Sequence, residues 1–220
     1  MKKLLMVVSA ADSLTLADGT SHPTGFWAEE VVESVRVLRE AGVEVTLATP
    51  GGVLPTVDKA SLDGRFDDAV TSLEDLRAPA TLSELDAAGF DAIYLPGGHG
   101  PMADLASDPA LGALLADFHD GGKVVAALCH GPAGLLSAVR ADGTFVFAGK
   151  EMTVFSNEEE RQGGLNVPYL VADRLAELGG RVTTGEPWSS TVVVDGTLVT
   201  GQNPQSTVAT AERVASLLSA

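Results

Sequence analysis

The sequence predicts an α/β fold on a mostly parallel sheet, in one domain spanning residues 1–220. Three observations carry that expectation. Short apolar runs recur at 4–8, 43–48, 92–95 and 123–128, as strands covered on both faces require. Helical patterns alternate with them, the order that builds parallel sheets. Glycine and proline cluster just past the strand ends, at 50–52, 96–100 and 131–134.

Taken in order, Leu4–Val8 is the first strand, followed by a polar loop from Asp12 to Gly25. Phe26–Ala41 reads as a helix, with Val31, Val32, Val35 and Leu38 at helical spacing and Gly42 as its stop. Val43–Ala48 is the second strand. From Leu54 to Ala80 the pattern weakens into an Asp-rich surface excursion with a short helix near Phe66–Leu73, and Leu82–Ala88 adds a helical turn. Ala92–Leu95 is a buried strand halted by Pro96-Gly97-Gly98-His99-Gly100. Pro109–Asp120 is a helix capped by Asp108 and ended by Gly121-Gly122. Lys123–Leu128 is the next strand, and helical character resumes over Ala133–Val139. Phe145–Phe155 contains short strand candidates around Gly149. Val167–Leu178 reads as a helix with Pro168 in its first turn. Asp195-Gly196 joins Val192–Val194 to Thr197–Thr200 as a hairpin, and Pro204–Leu218 closes the chain as an amphipathic helix.

Composition excludes several functions. A formal net charge of -16 disfavours nucleic acid and anionic membrane surfaces, because binding phosphates needs clustered Lys and Arg. A single cysteine excludes an intramolecular disulfide and a Cys-based metal cluster. Met1–Ala10 looks superficially like an export leader, but its apolar run is short and Asp12 and Asp18 follow, which fits a buried first strand better. No run of about 18 apolar residues is present. The expectation is a cytoplasmic protein.

In open parallel sheets ligands bind beyond the carboxyl ends of the strands. There Val124–Leu128 runs into Cys129-His130-Gly131-Pro132, a composition that suits a sharp strand-to-helix turn with the cysteine at its apex, a nucleophile elbow. The N–H groups and positive end of the following helix favour thiolate. An inert buried cysteine is the alternative. His130 can serve Cys129 only if the turn is irregular, since adjacent residues on a regular helix diverge. The Gly97-Gly98 loop offers unobstructed N–H groups for an oxyanion; it lacks the features of a P-loop or a dinucleotide fingerprint.

Two stretches, Ala126-Ala127-Leu128-Cys129-His130-Gly131-Pro132 and Tyr94-Leu95-Pro96-Gly97-Gly98-His99-Gly100, together resemble the ThiJ/PfpI superfamily, glutamine amidotransferase-like in fold. Thr24-Gly25-Phe26-Trp27-Ala28-Glu29-Glu30, Gly185-Glu186-Pro187-Trp188 and Val199-Thr200-Gly201-Gln202-Asn203-Pro204 narrow the likeness to the branch of heat-shock chaperones and glutathione-independent glyoxalase III enzymes. The resemblance implies a flavodoxin-like three-layer sandwich with Cys129 as nucleophile. It implies a buried carboxylic acid from the first long helix, by position Glu30 rather than Glu29. It further implies an acid that orients His130, with Glu160 the best match in Asn157-Glu158-Glu159-Glu160 and Glu159 the fallback.

The expected activity is conversion of methylglyoxal to lactate without a cofactor, with Cys129, His130, Glu30 and Glu160 catalytic. Gly97 and Gly98 would serve the oxyanion site, with the backbone N–H groups of Gly98 and His130 as donors, and Trp27, Pro187 and Trp188 would line the pocket. The expected partner is a small dicarbonyl. Homodimers are common among similar proteins, and no residue pattern here decides assembly. His22, His99 and His119 form no recognisable ligand set, so no metal is expected. A cysteine hydrolase (amidase, peptidase or protein deglycase) and a stress-responsive chaperone or redox sensor are the rival functions.

Overall fold

The computed structural model describes residues 1–220. In chain order the elements are β1 (Lys3–Val7), β2 (Ser13–Thr15), β3 (Ser21–Pro23), α1 (Ala28–Glu40), β4 (Glu44–Thr49), α2 (Asp67–Ser72), β5 (Ala80–Thr81) and β6 (Ala92–Leu95). There follow α3 (Gly100–Ala103), α4 (Pro109–Asp120), β7 (Val124–Leu128), β8 (Glu151–Met152), α5 (Asn157–Gly163), α6 (Val171–Glu177), β9 (Arg181–Val182), β10 (Val192–Asp195), β11 (Leu198–Gly201) and α7 (Thr207–Ser219). The central sheet has seven strands in the order β10-β11-β7-β6-β1-β4-β5. Every neighbouring pair is parallel except the β10–β11 hairpin.

Successive strand residues point to opposite faces, so the alternating side chains of each buried strand feed two cores. Leu4, Met6 and Val8 join Tyr94 and Ala126 under α1 and α7, through Val31, Val35, Leu38, Val214 and Leu218. Leu5 and Val7 join Ile93, Leu95 and Val125 against α4 and α6, through Leu111, Leu115, Phe118 and Leu175. The result is a three-layer α/β sandwich.

Local signals account for most boundaries. Asp108 caps α4, accepting from the N–H groups of Ala110 and Leu111 at 2.8 and 2.9 Å, and Gly196 supplies the positive φ of the hairpin turn (63°). Three expectations need correction. The polar segment 12–25 is not a plain loop, since β2 and β3 pair antiparallel within it. The helix expected over 167–178 begins only at Val171, with extended Leu170 before it, so Pro168 precedes the helix. The segment after the cysteine is a 3-10 helix, Gly131–Ser137, because a chain crowded against the sheet end takes the tighter winding.

Candidate active site

Cys129 follows β7 directly and sits at φ 58°, one of two non-glycine residues in the left-handed region. Such strain persists only where surrounding structure enforces it. Here the Cys129 N–H donates to Gly201 O at 2.9 Å and its carbonyl accepts from Phe155 N–H at 3.0 Å, pinning both sides of the turn. The close approach requires small neighbours. A Cβ on Gly97 would lie 2.7 Å from His130 N and 3.0 Å from Cys129 Cβ, and one on Gly131 would lie 2.1 Å from Leu95 O.

The strained turn lets adjacent side chains meet. Cys129 Sγ lies 3.4 Å from His130 Nδ1, and His130 Nε2 lies 2.6 Å from Glu160 Oε2. Glu160 enters from the first turn of α5. Burial would push its carboxyl up, but hydrogen bonds from His130 and His99 outweigh that and hold it at about 2. Burial, with His99 nearby, lowers His130 to about 4. At neutral pH Glu160 is therefore an anion and His130 a neutral imidazole. An ionised carboxylate can only accept, so Nε2 carries the His130 proton and Nδ1 presents its lone pair to the thiol.

Glu159 does not contact His130. It closes a capping box with Ser156 and accepts from Trp188 N–H at 2.8 Å and Asn203 Nδ2 at 2.7 Å, tying the 186–190 loop and the 202–203 segment to α5. Helix geometry turns these adjacent carboxylates to different faces.

Glu30, in the first turn of α1, is fully buried beside the thiol. Its Oε2 accepts the Gly97 N–H at 2.6 Å. Burial pushes the carboxyl up to about 8, against the Gly97 N–H and the neighbouring thiol, so it holds a proton at neutral pH; its Oε1 has no hydrogen-bond partner. Glu29 is partly exposed near Arg65.

Two assignments change. The turn's N–H groups favour the Cys129 thiolate, as expected, but they are outweighed. Burial pushes the thiol well up, a charge on Glu30 would push it further, and hydrogen bonds from the Gly98 and His130 N–H groups only partly offset this. Cys129 and Glu30 thus rest as a neutral, proton-holding pair. Gly97 is no oxyanion donor, because Glu30 takes its N–H; the free-standing pair of donors at the sulfur is Gly98 and His130.

These groups open onto a cavity of about 180 Å³ lined by Trp27, Gly98, His99, Phe155, Leu165 and Trp188 beside Cys129, His130 and Glu160. No Lys or Arg lines it. Pro187 lies outside it, in a neighbouring groove with Ser156 and Asp173. Trp188 is itself held at φ 59°, edge-on to Phe155 with ring centres 5.5 Å apart.

His99, for which the sequence alone suggests no side-chain role, joins the site. Its Nε2 lies 3.1 Å from Glu160 Oε1 and its ring centre 4.0 Å from that of His130. The available signal was its place on the loop after β6, the strand paired with the one that carries Cys129. His22 and His119 lie on β3 and α4, outside the cavity lining.

The model of the DJ-1/PfpI family matches residues 22–217. The chain is 34% identical over 179 residues to the Bos taurus protein called glutamine amidotransferase-like class 1 domain-containing protein 1, covering 78% of this chain and 79% of that one. It is 30% identical over 239 residues to Glyoxalase 3 of Candida albicans, covering 97% of each. The crystal structure of glyoxalase III from Candida albicans superposes with a TM-score of 0.81 at 28% identity, covering 98% of this chain and 96% of that one.

Proposed function

The chain belongs to the DJ-1/PfpI family, and from that premise we propose that it is a glutathione-independent glyoxalase that converts methylglyoxal to lactate. The observation that carries the reading is the fully buried Glu30 carboxyl, pushed up by burial to about 8, beside the Cys129 thiol. A Cys-His-acid hydrolase has no use for a second carboxyl there, whereas isomerising a dicarbonyl requires a group that moves protons near neutral pH. The likeness to Glyoxalase 3 over nearly the whole chain supports the same reading.

The proposed steps use the groups gathered at Cys129. His130 Nδ1 takes the thiol proton across 3.4 Å as Sγ adds to the aldehyde carbon. The new S–C bond sends the carbonyl pair onto oxygen, which the Gly98 and His130 N–H groups stabilise and the imidazolium protonates. Glu160 steadies that transient imidazolium. Glu30 gives its proton to the ketone oxygen and, as carboxylate, takes the proton from the hemithioacetal carbon, forming an enediol. Returning that proton to the former ketone carbon, while the remaining hydroxyl proton passes to the carboxylate, leaves a thioester and restores the Glu30 acid. Water cleaves the thioester, releasing lactate and restoring the thiol. The sum is methylglyoxal plus water to lactate, with no redox partner.

The cavity supports a small neutral carbonyl substrate. It offers aromatic walls and no cation for a substrate carboxylate, and about 180 Å³ excludes a folded peptide segment. The Cys129-His130-Glu160 relay also suits an acyl-enzyme hydrolase, and a paired assay separates the two. Methylglyoxal consumption and hydrolysis of a chromogenic amide are followed with the parent and Glu30→Gln. The glyoxalase reading expects methylglyoxal turnover that the substitution removes. Amide hydrolysis that survives Glu30→Gln, without methylglyoxal turnover, would replace it with the hydrolase.

A further inference from the structure

We propose that His99, His130 and Glu160 form a binding site for one divalent transition-metal ion, Zn²⁺ best of all, and that the bound ion switches the cysteine site off. Their ligand atoms all lie within 4.8 Å of one another. Two imidazoles and a carboxylate suit zinc, and three protein ligands leave its fourth position open to a cavity. The cavity also supplies the entry path. Net charge of -16 raises the local concentration of cations.

The fit needs the ligand atoms, now up to 4.8 Å apart, to close on a common centre. Ligands about 2.1 Å from a tetrahedral zinc stand roughly 3.3 Å apart. Glu160 Oε1 and His99 Nε2 are already 3.1 Å apart. Glu160 Oε2 and His130 Nε2, at 2.6 Å, must separate by about 0.7 Å, which a side-chain adjustment supplies.

Inhibition follows from proton placement. Both histidines turn Nε2 toward Glu160. A metal on Nε2 requires the lone pair there, so a coordinated ring carries its proton on Nδ1. The His130 Nδ1–H then points at Cys129 Sγ. It can donate to the sulfur but can no longer take the thiol proton. The ion thus disables the base without touching the nucleophile. A thiol–metal bond would act differently, and the test separates the two.

The full chain, stripped of metal and reduced, is titrated with Zn²⁺ by calorimetry and by tryptophan fluorescence. The protein's two tryptophans, Trp27 and Trp188, both line the cavity, so emission reports on it directly. The expected result is one ion per chain, with affinity at least about tenfold weaker in His99→Ala and retained in Cys129→Ser and His119→Ala. Co²⁺ in place of Zn²⁺ gives ligand-field absorption without a thiolate-to-metal charge-transfer band, a readout on the parent protein that does not depend on any variant folding. No stoichiometric binding by the parent overturns the proposal. So does a thiolate band, or binding lost in Cys129→Ser and kept in His99→Ala. None of these readouts depends on which substrate the enzyme turns over.

Discussion

Replacing Glu30 with glutamine should stabilise the protein increasingly as pH rises. Burial lifts this carboxyl from 4.5 to about 8 in the folded chain. Below pH 4.5 it is protonated in both folded and unfolded states and contributes nothing to the pH dependence. Between 4.5 and about 8 the folded state keeps a proton that the unfolded chain has released. Stability therefore falls as pH rises through that window. The slope is about 1.4 kcal/mol per pH unit, or roughly 4 kcal/mol between pH 5 and 8. Glutamine does not titrate, and its side-chain oxygen can still accept the Gly97 N–H. The stability difference, variant minus parent, should climb by that slope and level off above pH 8. Subtraction cancels the pH dependence of His130 and Glu160, which both proteins share. Urea unfolding followed by circular dichroism across this range provides the measurement. Parallel curves for the two proteins would refute the claim that Glu30 holds its proton against Cys129.

Glu160→Gln leaves the helix intact but removes the charged acceptor for His130 Nε2–H, so kcat should fall about 10²–10⁴-fold, and roughly 3 kcal/mol of stability should go with it near neutral pH because the folded chain holds this carboxyl at about 2 against 4.5, checked by steady-state kinetics beside thermal unfolding. Gly97→Ala forces a Cβ to 2.7 Å from His130 N, and about 1–3 kcal/mol of stability and all turnover should disappear; a variant as stable and active as the parent would show that the turn can widen. Glu159→Ala strands the Trp188 N–H and the Asn203 amide, and should cost more than about 2 kcal/mol while raising KM more than it lowers kcat, because Trp188 loses its anchor and the His130–Glu160 pair does not.

How much of this was legible in the chain differs from feature to feature. The buried runs within β1, β6 and β7 stand out in the sequence, because a strand is apolar wherever both its faces are covered. The β2–β3 hairpin was not, since three-residue strands carrying Ser, Thr, His and Pro have no periodicity to show. The start of α6 was misplaced because Pro168 suits a first helical turn, yet the turn there is set by what surrounds it. At the site, the structure brings together Cys129 and the two acids that the family resemblance implied, Glu30 and Glu160, and one step of helical rotation on α5 separates Glu160 from Glu159. Three features depended on burial or on contacts far apart in sequence. Burial raises the Cys129 thiol against the turn's N–H groups, an effect that local turn geometry does not show. Gly97 proved to be a partner of Glu30 across 67 residues. His99 met Glu160 across 61.

The most direct test of the Cys129–Glu30 pair is lactate formation from methylglyoxal by the reduced protein without glutathione, beside Cys129→Ala and Glu30→Gln. The account predicts one lactate for each methylglyoxal consumed by the parent, and none above background from either variant. A folded, reduced parent that forms no lactate, or a Glu30→Gln protein as fast as the parent, would contradict it.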